Sequence, residues 1–505
     1  MPKEIELKLR LNPAQARRLA GHPVFSGMQP QKYKLFNTYY DTPDLALCRR
    51  GIALRMRCKG RAEWLMTVKG GDPAGGALAR RSEWEVPTRP GIFIFDAVDD
   101  RGLRNFLKSC QTELRPVFST NFTRITWTVH RAGALVEIAL DRGKINADCL
   151  SGGEIGACAP ICELELELIE GTTSDALFDV AIELASDFQL HPAIASKAER
   201  GYALAQGQLG LPAKAMASTI DRAMSPGEAF RALALSCVLH LQRNEDGVLA
   251  GQDAEYLHQA RIALRRLRAC FRLFAPVLES AFVAVYLPRW RDLARQLGVA
   301  RDWDVFVNET LLPLEKNFPE ARDLARALER AETRRAGARV AASAVLGRKA
   351  YSQLLLAFTA ALLRDRSPTI VVPGTDSADM RKFAVQRLRR RVAAIRKIAG
   401  EDAALDDERR HRLRIALKNL RYALEFFAPL LPRKRVKRYQ DRLVAIQDFF
   451  GRLNDQATAQ RLLKDFCADA DGLPLGDGWV AGRKHLLVAA QEGELADFLA
   501  SPLPW

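Results

Sequence analysis

The 505-residue sequence lacks three features, and each absence excludes a class of protein. No apolar run approaches the ~20 residues that a membrane-spanning helix needs, so the sequence does not predict a transmembrane protein. The nine cysteines are scattered and form no CxxC pair, so no disulfide framework is indicated. The first residues, MPKEIELKLRL, alternate like a β-strand and do not resemble a signal peptide. We therefore expect a cytoplasmic protein that has no membrane partner.

Acidic residues are absent from the segment 257–278, LHQARIALRRLRACFRLFAPVL. At about 100° per residue, its leucine and phenylalanine side chains fall on one helix face and its cations on the neighbouring face. The cations are His258, Arg261, Arg265, Arg268 and Arg272. Solvated helix faces usually mix charges of both signs, whereas this face would repel itself unless an anion lay along it. The pattern therefore indicates an anion-binding helix face.

The same pattern returns 153 residues later, in HRLRIALKNLRYALEFFAPLL at 411–431. Its cations are His411, Arg414, Lys418 and Arg421. The matching positions downstream are Gly298 with Gly451 and Asp302 with Asp455. We interpret the match as an internal duplication that covers about 228–306 and 381–459. The alternative is a pair of unrelated amphipathic helices with basic edges.

The excess of positive charge lies mainly in the second part of the chain. The sequence has 76 Lys and Arg against 60 Asp and Glu, which gives a net charge of +16. The first 200 residues hold 27 and 25 of these, which leaves 49 and 35 for the rest. A field of this sign favours a polyanion, such as nucleic acid, a phosphate polymer or an acidic membrane. The chain is also too long for one core and predicts two or three domains.

Charged and apolar residues alternate in several short segments of the first 200 residues. The segments are EIELKLRL, ALRMRCK, RRSEWEV, TRITWTV and CELELELI. A period of two residues predicts β-strands. Some strands carry carboxylates at every second residue, as at Glu4 and Glu6, and another carries cations at Arg55, Arg57 and Lys59. This mixture suits a closed barrel that binds a metal-phosphate ligand, although charges that face water on an ordinary sheet are the alternative.

An ordered set of motifs makes residues 1–204 resemble the CYTH family, the triphosphate tunnel metalloenzymes. The motifs are EIELK, which matches the ExExK signature, then YYDTPDLALCRRGIALRMR, TVKG, RSEWE, ALDRG, ELELE and SKAERGY. The duplicated region, residues 218–505, resembles the CHAD domain, a helical module. Residues 205–217 are rich in small residues, glycine and proline, and are interpreted as a linker. The sequence is thus identified as a member of the CYTH-CHAD proteins.

The resemblance implies an α+β fold: an N-terminal eight-stranded antiparallel β tunnel with flanking helices, followed by an all-α bundle of two duplicated helical repeats. The implied metal ligands, for Mg²⁺ or Mn²⁺, are Glu4, Glu6, Glu163 and Glu165. Three glutamates alternate in ELELE, so the choice of two among Glu163, Glu165 and Glu167 stays open. The implied substrate ligands are Arg55, Arg57, Lys69, Arg81, Arg124 and Lys197. Lys8 and Glu85 are implied to act near the reacting phosphate and the attacking water.

The resemblance to CHAD domains implies that the helical bundle binds inorganic polyphosphate. We expect the two basic helix faces to form one groove. Its expected residues are His258, Arg261, Arg265, Arg268, His411, Arg414, Lys418 and Arg421. Nucleic acid is disfavoured as a ligand because these faces lack the interleaved aromatic residues that stack on bases. Association with polyphosphate granules in the cytoplasm follows as an expectation, and the oligomeric state stays open.

The expected activity is metal-dependent hydrolysis of inorganic triphosphate to pyrophosphate and phosphate, joined to polyphosphate binding. Two alternatives stay open. One is a binding protein that polyphosphate localises and whose tunnel has little turnover. The other is a tunnel enzyme for an organic triphosphate, either thiamine triphosphate or ATP in an adenylate cyclase reaction. The expected activity and both alternatives need the same cations to bind the triphosphate. The sequence has no recognisable base-binding segment, and this favours inorganic triphosphate as the substrate.

Overall fold

Charged and apolar residues alternate in the first part of the chain, which forms strands. In the rest of the chain apolar residues recur with the period of a helix, and this part forms helices. The computed structural model describes the chain except for residues 1–2, 61, 71–76, 148–155, 209, 252, 365–369, 373, 375–378, 401–404 and 468–472. For residues 465–467 it describes the backbone alone. Contacts divide the chain into a tunnel unit, Met1–Leu211 with Gly347–Pro368, and a helical unit, Pro212–Leu346 with Thr369–Trp505.

The bounds of the strands and helices are as follows. The strands are β1 (Lys3–Arg10), β2 (Gln31–Asp41), β3 (Ala53–Lys59), β4 (Glu63–Gly70), β5 (Leu78–Pro87), β6 (Arg115–Arg131), β7 (Ala134–Asn146), β8 (Cys158–Glu170) and β9 (His191–Pro192). The α-helices are α1 (Pro13–Ala16), α2 (Ala46–Arg49), α3 (Arg101–Cys110), α4 (Asp175–Leu184), α5 (Lys197–Ala205), α6 (Pro226–Leu249), α7 (Ala254–Phe274), α8 (Ser280–Phe306), α9 (Leu312–Asn317), α10 (Arg322–Leu346), α11 (Lys349–Leu363), α12 (Met380–Ala399), α13 (Asp407–Phe427), α14 (Arg433–Cys467) and α15 (Pro474–Leu499).

Strands β1 to β8 close into an antiparallel tunnel, which confirms the predicted fold. The strand order is β5-β4-β3-β2-β6-β7-β8-β1, and β1 pairs with β5 to close the ring, while the short β9 pairs with the end of β1. Because side chains alternate along a strand, every second residue of each motif faces the same side of the sheet. The register places Lys8 beside Glu165 and Arg124 beside Asp141, so charges of opposite sign meet between strands.

Apolar residues on the other face of the tunnel pack against helices. Leu7 and Leu9 of β1 are fully buried in one core with Leu177 of α4. A second core joins Met66 of β4 to Leu107 of α3. These packed helices hold the strands in place from outside, so the interior is free to carry charge.

Helix α5 packs very closely on the sheet. A Cβ atom on Gly201 would lie 2.0 Å from the ring of Phe118, so only glycine fits at this point of α5. The capping box of Ser196 and Glu199 fixes the start of the helix. The close packing and the cap together hold Lys197, the first residue of α5, in the cavity lining.

Helix α11 belongs to the tunnel unit although it lies between the two helical repeats in sequence. Leu356 is fully buried in the core that β1 and α4 share. Gln353 Nε2 donates to the Ala185 carbonyl at 3.0 Å, and Arg364 pairs with Asp179 at 2.8 Å. The resemblance to CHAD domains placed this segment in the helical domain, residues 218–505, but its apolar residues pack in the core of the tunnel unit.

The helical unit contains two copies of a four-helix repeat. Helices α6, α7, α8 and α10 correspond to α12, α13, α14 and α15, whose first residues lie 152 to 154 positions later. The caps repeat as well: the Asp253 side chain accepts from the Glu255 amide before α7, and Asp406 accepts from the Arg409 amide before α13. The duplication therefore extends through the fourth helix, and a short π-helix, Val307–Leu311, connects α8 to α9. None of the described helices combines the length and apolar character needed to cross a membrane.

The packing of α11 gives a stability prediction. Leu356→Ala removes a fully buried side chain and should lower the free energy of unfolding of the tunnel unit by about 2–5 kcal/mol. Amide hydrogen exchange measured by mass spectrometry should become faster in α4 and β1, which share this core. Leu486→Ala, at a position that is 72% exposed, is the matched control and should leave exchange unchanged. Equal exchange in α4 for both variants would show that α11 does not support the tunnel.

Candidate functional site

The tunnel encloses a cavity of about 350 Å³ lined mainly by charged side chains. Ten of the residues predicted from the sequence line it: Glu4, Lys8, Arg55, Arg57, Lys69, Arg81, Glu85, Arg124, Glu165 and Lys197. The two other predicted residues, Glu6 and Glu163, are each 2% exposed and contact lining residues. Glu6 accepts a hydrogen bond from Lys8, and Glu163 pairs with Lys197. The tunnel thus brings all twelve predicted residues together.

Three carboxylates form one cluster in the tunnel wall. Asp141, Glu163 and Glu165 each offer an oxygen within 4.8 Å of the others, so the cluster could hold a metal ion. Lys197 already contacts all three, with its Nζ 2.7 Å from Asp141 and 2.9 Å from Glu165. Arg124 adds a bidentate pair to Asp141, at 2.7 and 2.6 Å. The two cations lower the pKa of Glu165 well below its usual value although burial opposes the charge.

A second group of carboxylates is short of positive charge. Burial raises the pKa of Glu4 to about 7, and the neighbouring Glu6 and Glu83 add to the effect of burial although Lys69 opposes it. Burial likewise raises the pKa of Glu167 to about 7, and Glu6 and Glu83 again contribute. Lys69 Nζ lies 2.8 Å from Glu4 and 2.9 Å from Glu83. Lys69 is thus shared by Glu4 and Glu83, and an added cation would stabilise the charged forms of Glu4 and Glu167.

The cations of β3 are held in place by polar neighbours. Arg57 Nε donates to Asn37 at 3.0 Å, and Arg57 also lies 3.6 Å from Glu85. The Thr67 hydroxyl donates to Glu85 at 2.8 Å, so Glu85 positions Arg57 in this structure. Burial and the nearby guanidinium groups of Arg55 and Arg124 together lower the pKa of Arg57 to about 10. Arg57 is thus a positioned cation that an anion in the cavity would stabilise.

Sequence reasoning missed several charged residues of the tunnel. Asp141 lies within the ALDRG motif but was given no role, and it is fully buried against Arg124 and Lys197. Glu83 lies two residues before Glu85 on β5, where Lys69 and Arg55 lower its pKa to about 2 despite burial. For Glu83 the signal was present, because it alternates with Arg81 and Glu85 on β5, whereas no predicted site residue lies on β7 to mark the position of Asp141.

The helical unit contains a larger cavity of about 1000 Å³, which we call the basic groove. Six of the eight residues predicted for it line it: His258, Arg261, Arg265, Arg414, Lys418 and Arg421. The two helices of the duplicated pattern, α7 and α13, therefore face one cavity. Cations that the prediction missed also line the groove, namely Lys214, Arg266, Arg301 and Arg452.

Arg268 and His411 lie outside the lining of the groove. Arg268 is half-buried, and its pKa is lowered by burial and by its neighbours Arg291 and Arg265. Its counterpart in the second copy, Arg421, does line the groove, so the two copies differ at this position. His411 is exposed near the start of α13. The groove is thus lined by six of the eight expected residues.

The cations of the groove repel one another. Burial lowers the pKa of Lys418 to about 6, with Arg414 and Arg265 adding to the effect. Burial lowers the pKa of Arg261 to about 10 and that of His258 to about 4, again with nearby arginines contributing. Such shifts mean that the charged forms lack counterions, so the groove is ready to accept an anion.

Gly298 and the two repeated Asp residues shape the groove, whereas a Cβ atom on Gly451 would meet nothing within 4 Å. A Cβ atom on Gly298 would lie 2.7 Å from Arg261 Nη1, so glycine allows the guanidinium to cross α8. Asp302 and Asp455 both line the groove and act electrostatically on its cations, Asp302 on Arg261 and Asp455 on Lys418. The acids thus leave the groove cationic while helping to hold its cations in place.

A closed tunnel with carboxylates and cations inside, followed by a duplicated helical module with a cationic groove, defines the class of protein. Residues 2–202 match the CYTH domain family and residues 232–464 match the CHAD domain family. The chain belongs to the proteins that carry a CYTH domain followed by a CHAD domain.

Three known proteins are similar to parts of the chain. An inorganic triphosphatase of Haemophilus influenzae is 35% identical over 209 residues, which are 41% of this chain and 56% of that protein. An uncharacterised protein of Mycobacterium tuberculosis is 28% identical over 433 residues, with 79% of this chain and 78% of that protein covered. The crystal structure of the CHAD domain from Ricinus communis is 30% identical and covers 58% of this chain and 98% of that chain, with a TM-score of 0.49.

The lowered pKa of Lys418 gives a pH prediction. A bound polyanion stabilises the ammonium form, so the pKa of Lys418 is higher in the complex than its free value of about 6. Affinity for linear polyphosphate should therefore rise as pH falls from 8 to 6, by up to about tenfold per pH unit, and then level off. Calorimetric titrations should show that Lys418→Gln flattens this dependence, whereas Lys434→Gln, at an exposed site, should not. The same slope in all three proteins would contradict the assignment.

Proposed function

We propose that the tunnel hydrolyses inorganic triphosphate to pyrophosphate and phosphate. The observation that carries the proposal is the cavity of about 350 Å³ in which positioned cations face carboxylates that are short of counterions. Similarity to the Haemophilus influenzae inorganic triphosphatase supports the same substrate. In the reaction, a water oxygen bonds to a terminal phosphorus, the bridging P–O bond breaks, and the water releases a proton.

We assign different roles to the cations and the carboxylates of the cavity. Arg55, Arg57 and Lys69 would bind phosphate oxygens and offset the charge that develops on them. Glu4, Glu6 and Glu167 would hold Mg²⁺ or Mn²⁺, because a bound cation would stabilise the charged forms of Glu4 and Glu167, whose pKa values are raised by burial and by the neighbouring carboxylates. A divalent ion at this place would polarise the phosphoryl group and lower the pKa of a bound water.

Two of the predicted metal ligands have a competing cation. Glu163 and Glu165 are neutralised by Lys197 in this structure, so a metal ion there would have to displace an ammonium group. This favours Glu167 over them as the partner of Glu6, which it neighbours in the strand register. Lys8, which donates to Glu6, would orient that carboxylate and lie near the reacting phosphate.

For the helical unit we propose binding of inorganic polyphosphate in the basic groove. A linear chain of phosphates offers closely spaced anionic oxygens, which suit the rows of cations from α7 and α13. The low pKa values of Lys418 and Arg261 support an anionic ligand, since such a ligand supplies the missing counterions. Binding to polyphosphate would place the protein on polyphosphate granules.

The metal site predicts the behaviour of a conservative tunnel variant. Glu6→Gln keeps the shape of the side chain but removes its charge, and Lys8 keeps an electrostatic partner in Glu165. Triphosphate turnover should fall by about a hundredfold or more, since such contacts are commonly worth ~3 kcal/mol. The assay is phosphate release with Mg²⁺ and with Mn²⁺, and EDTA should abolish it. Glu170→Gln, on the exposed end of β8, is the matched control, and a Glu6→Gln enzyme with normal turnover would remove Glu6 from the site.

Charge reversal distinguishes binding in the groove from a general attraction by the net positive charge of the protein. Arg265→Glu with Lys418→Glu should weaken polyphosphate binding far more than Arg433→Glu with Lys437→Glu, although both pairs change the net charge equally. Titrations with polyphosphate and single-stranded DNA at two salt concentrations measure the effect. A preformed groove should keep its preference for polyphosphate as salt rises, whereas counterion release depends mainly on the number of phosphates neutralised. Equal losses for both pairs would leave only an unspecific polyanion surface.

A further inference from the structure

Three aromatic rings line the tunnel cavity among the residues that the structure describes: Tyr33, Tyr39 and Phe122. An aromatic ring in a triphosphate site could stack on the organic part of a ligand, such as a nucleotide base or the rings of thiamine. Whether the faces of these three rings are accessible therefore bears directly on which triphosphates the tunnel accepts.

Two of the three rings are covered by firmly held groups. Tyr39 stacks on Phe118 with ring centroids 4.4 Å apart and an angle of 15° between the planes. Phe122 has the ammonium of Lys197 at 5.1 Å and the guanidinium of Arg124 at 5.9 Å from its centroid. Both cations are fixed by the Asp141 cluster, so neither can move aside for a ligand without breaking buried ion pairs.

The third ring, that of Tyr33, is covered by the ammonium group of a lysine at the end of a strand. Lys59 Nζ lies 4.9 Å from the centroid of Tyr33, and Tyr33 also packs against the apolar core that contains Leu35. Lys59 is the last residue of β3, beside the turn at Gly60, where φ is +67°. It is the third cation of the β3 pattern after Arg55 and Arg57, and it lines the cavity without a role in the proposed reaction.

We propose that the Lys59–Tyr33 pair restricts the tunnel to inorganic triphosphate by covering the aromatic face that an organic group would use. The proposal rests on the triphosphatase activity proposed above. The ammonium gains from the ring by a cation–π interaction, and it offers a phosphate oxygen a favourable contact. An organic group must displace it to stack. Lys59 thus selects against nucleoside and thiamine triphosphates by covering the ring of Tyr33.

The test compares two variants that lose the same charge but differ in how they cover the ring. Lys59→Ala uncovers Tyr33, whereas Lys59→Met keeps an unbranched side chain over it. Lys144→Ala, at an exposed site on β7, is the control for loss of one positive charge. The measurement is kcat/KM for triphosphate, ATP and thiamine triphosphate with Mg²⁺ and with Mn²⁺.

We expect Lys59→Ala to raise the ratio of kcat/KM for the organic substrates to that for triphosphate by roughly tenfold, consistent with one stacking contact. Lys59→Met and Lys144→Ala should keep the ratio of the unmodified protein. An unchanged ratio in Lys59→Ala with triphosphate turnover retained would overturn the proposal, as would an equal rise in Lys59→Met, which would trace selectivity to charge. If the unmodified protein does not turn over triphosphate, the proposed activity fails. Calorimetric binding of ATP and triphosphate to the same variants then decides the role of the pair separately.

Discussion

Charges of the same sign cannot be buried together without counterions, and both candidate sites follow from this constraint. The tunnel supplies most of its own counterions, because the antiparallel register places cations of one strand beside carboxylates of the next, as with Arg124 and Asp141. The groove of the helical unit does not, and its cations have lowered pKa values, as at Lys418. A bound ligand would therefore supply more of the missing counter-charge in the groove than in the tunnel.

The interior residues of the tunnel were largely predictable because the alternation that identifies them is a local property of each strand. A period of two assigns each side chain to the inner or the outer face, so the interior positions could be read directly from the motifs. What a single strand cannot reveal is its partner across the sheet. The division of the carboxylates into a group around Lys197 and a group around Lys69 depends on that pairing, and so does the role of Asp141.

The duplication of the helical unit was predictable from the sequence, whereas the set of residues that line its groove was less so. A constant offset between copies revealed the duplication, and the helices and their caps repeat at that offset. The prediction treated the two copies as equivalent, but Arg421 lines the groove and its counterpart Arg268 does not. The copies have also diverged: Asn454 stands where the first copy has Arg301, next to His258. His411 has no such neighbour in the matching position and is exposed.

The place of α11 in the chain has a consequence for biosynthesis. The tunnel unit needs Leu356 to complete a core that begins with β1, yet residues 206–348 separate α5 from α11. At ~5–20 residues per second, a ribosome needs roughly 10–30 s to make that stretch. The first helical repeat thus emerges from the ribosome while the tunnel unit still exposes an apolar surface to the cell. The nascent chain must shield that surface, or be shielded by a chaperone, until the missing helix arrives.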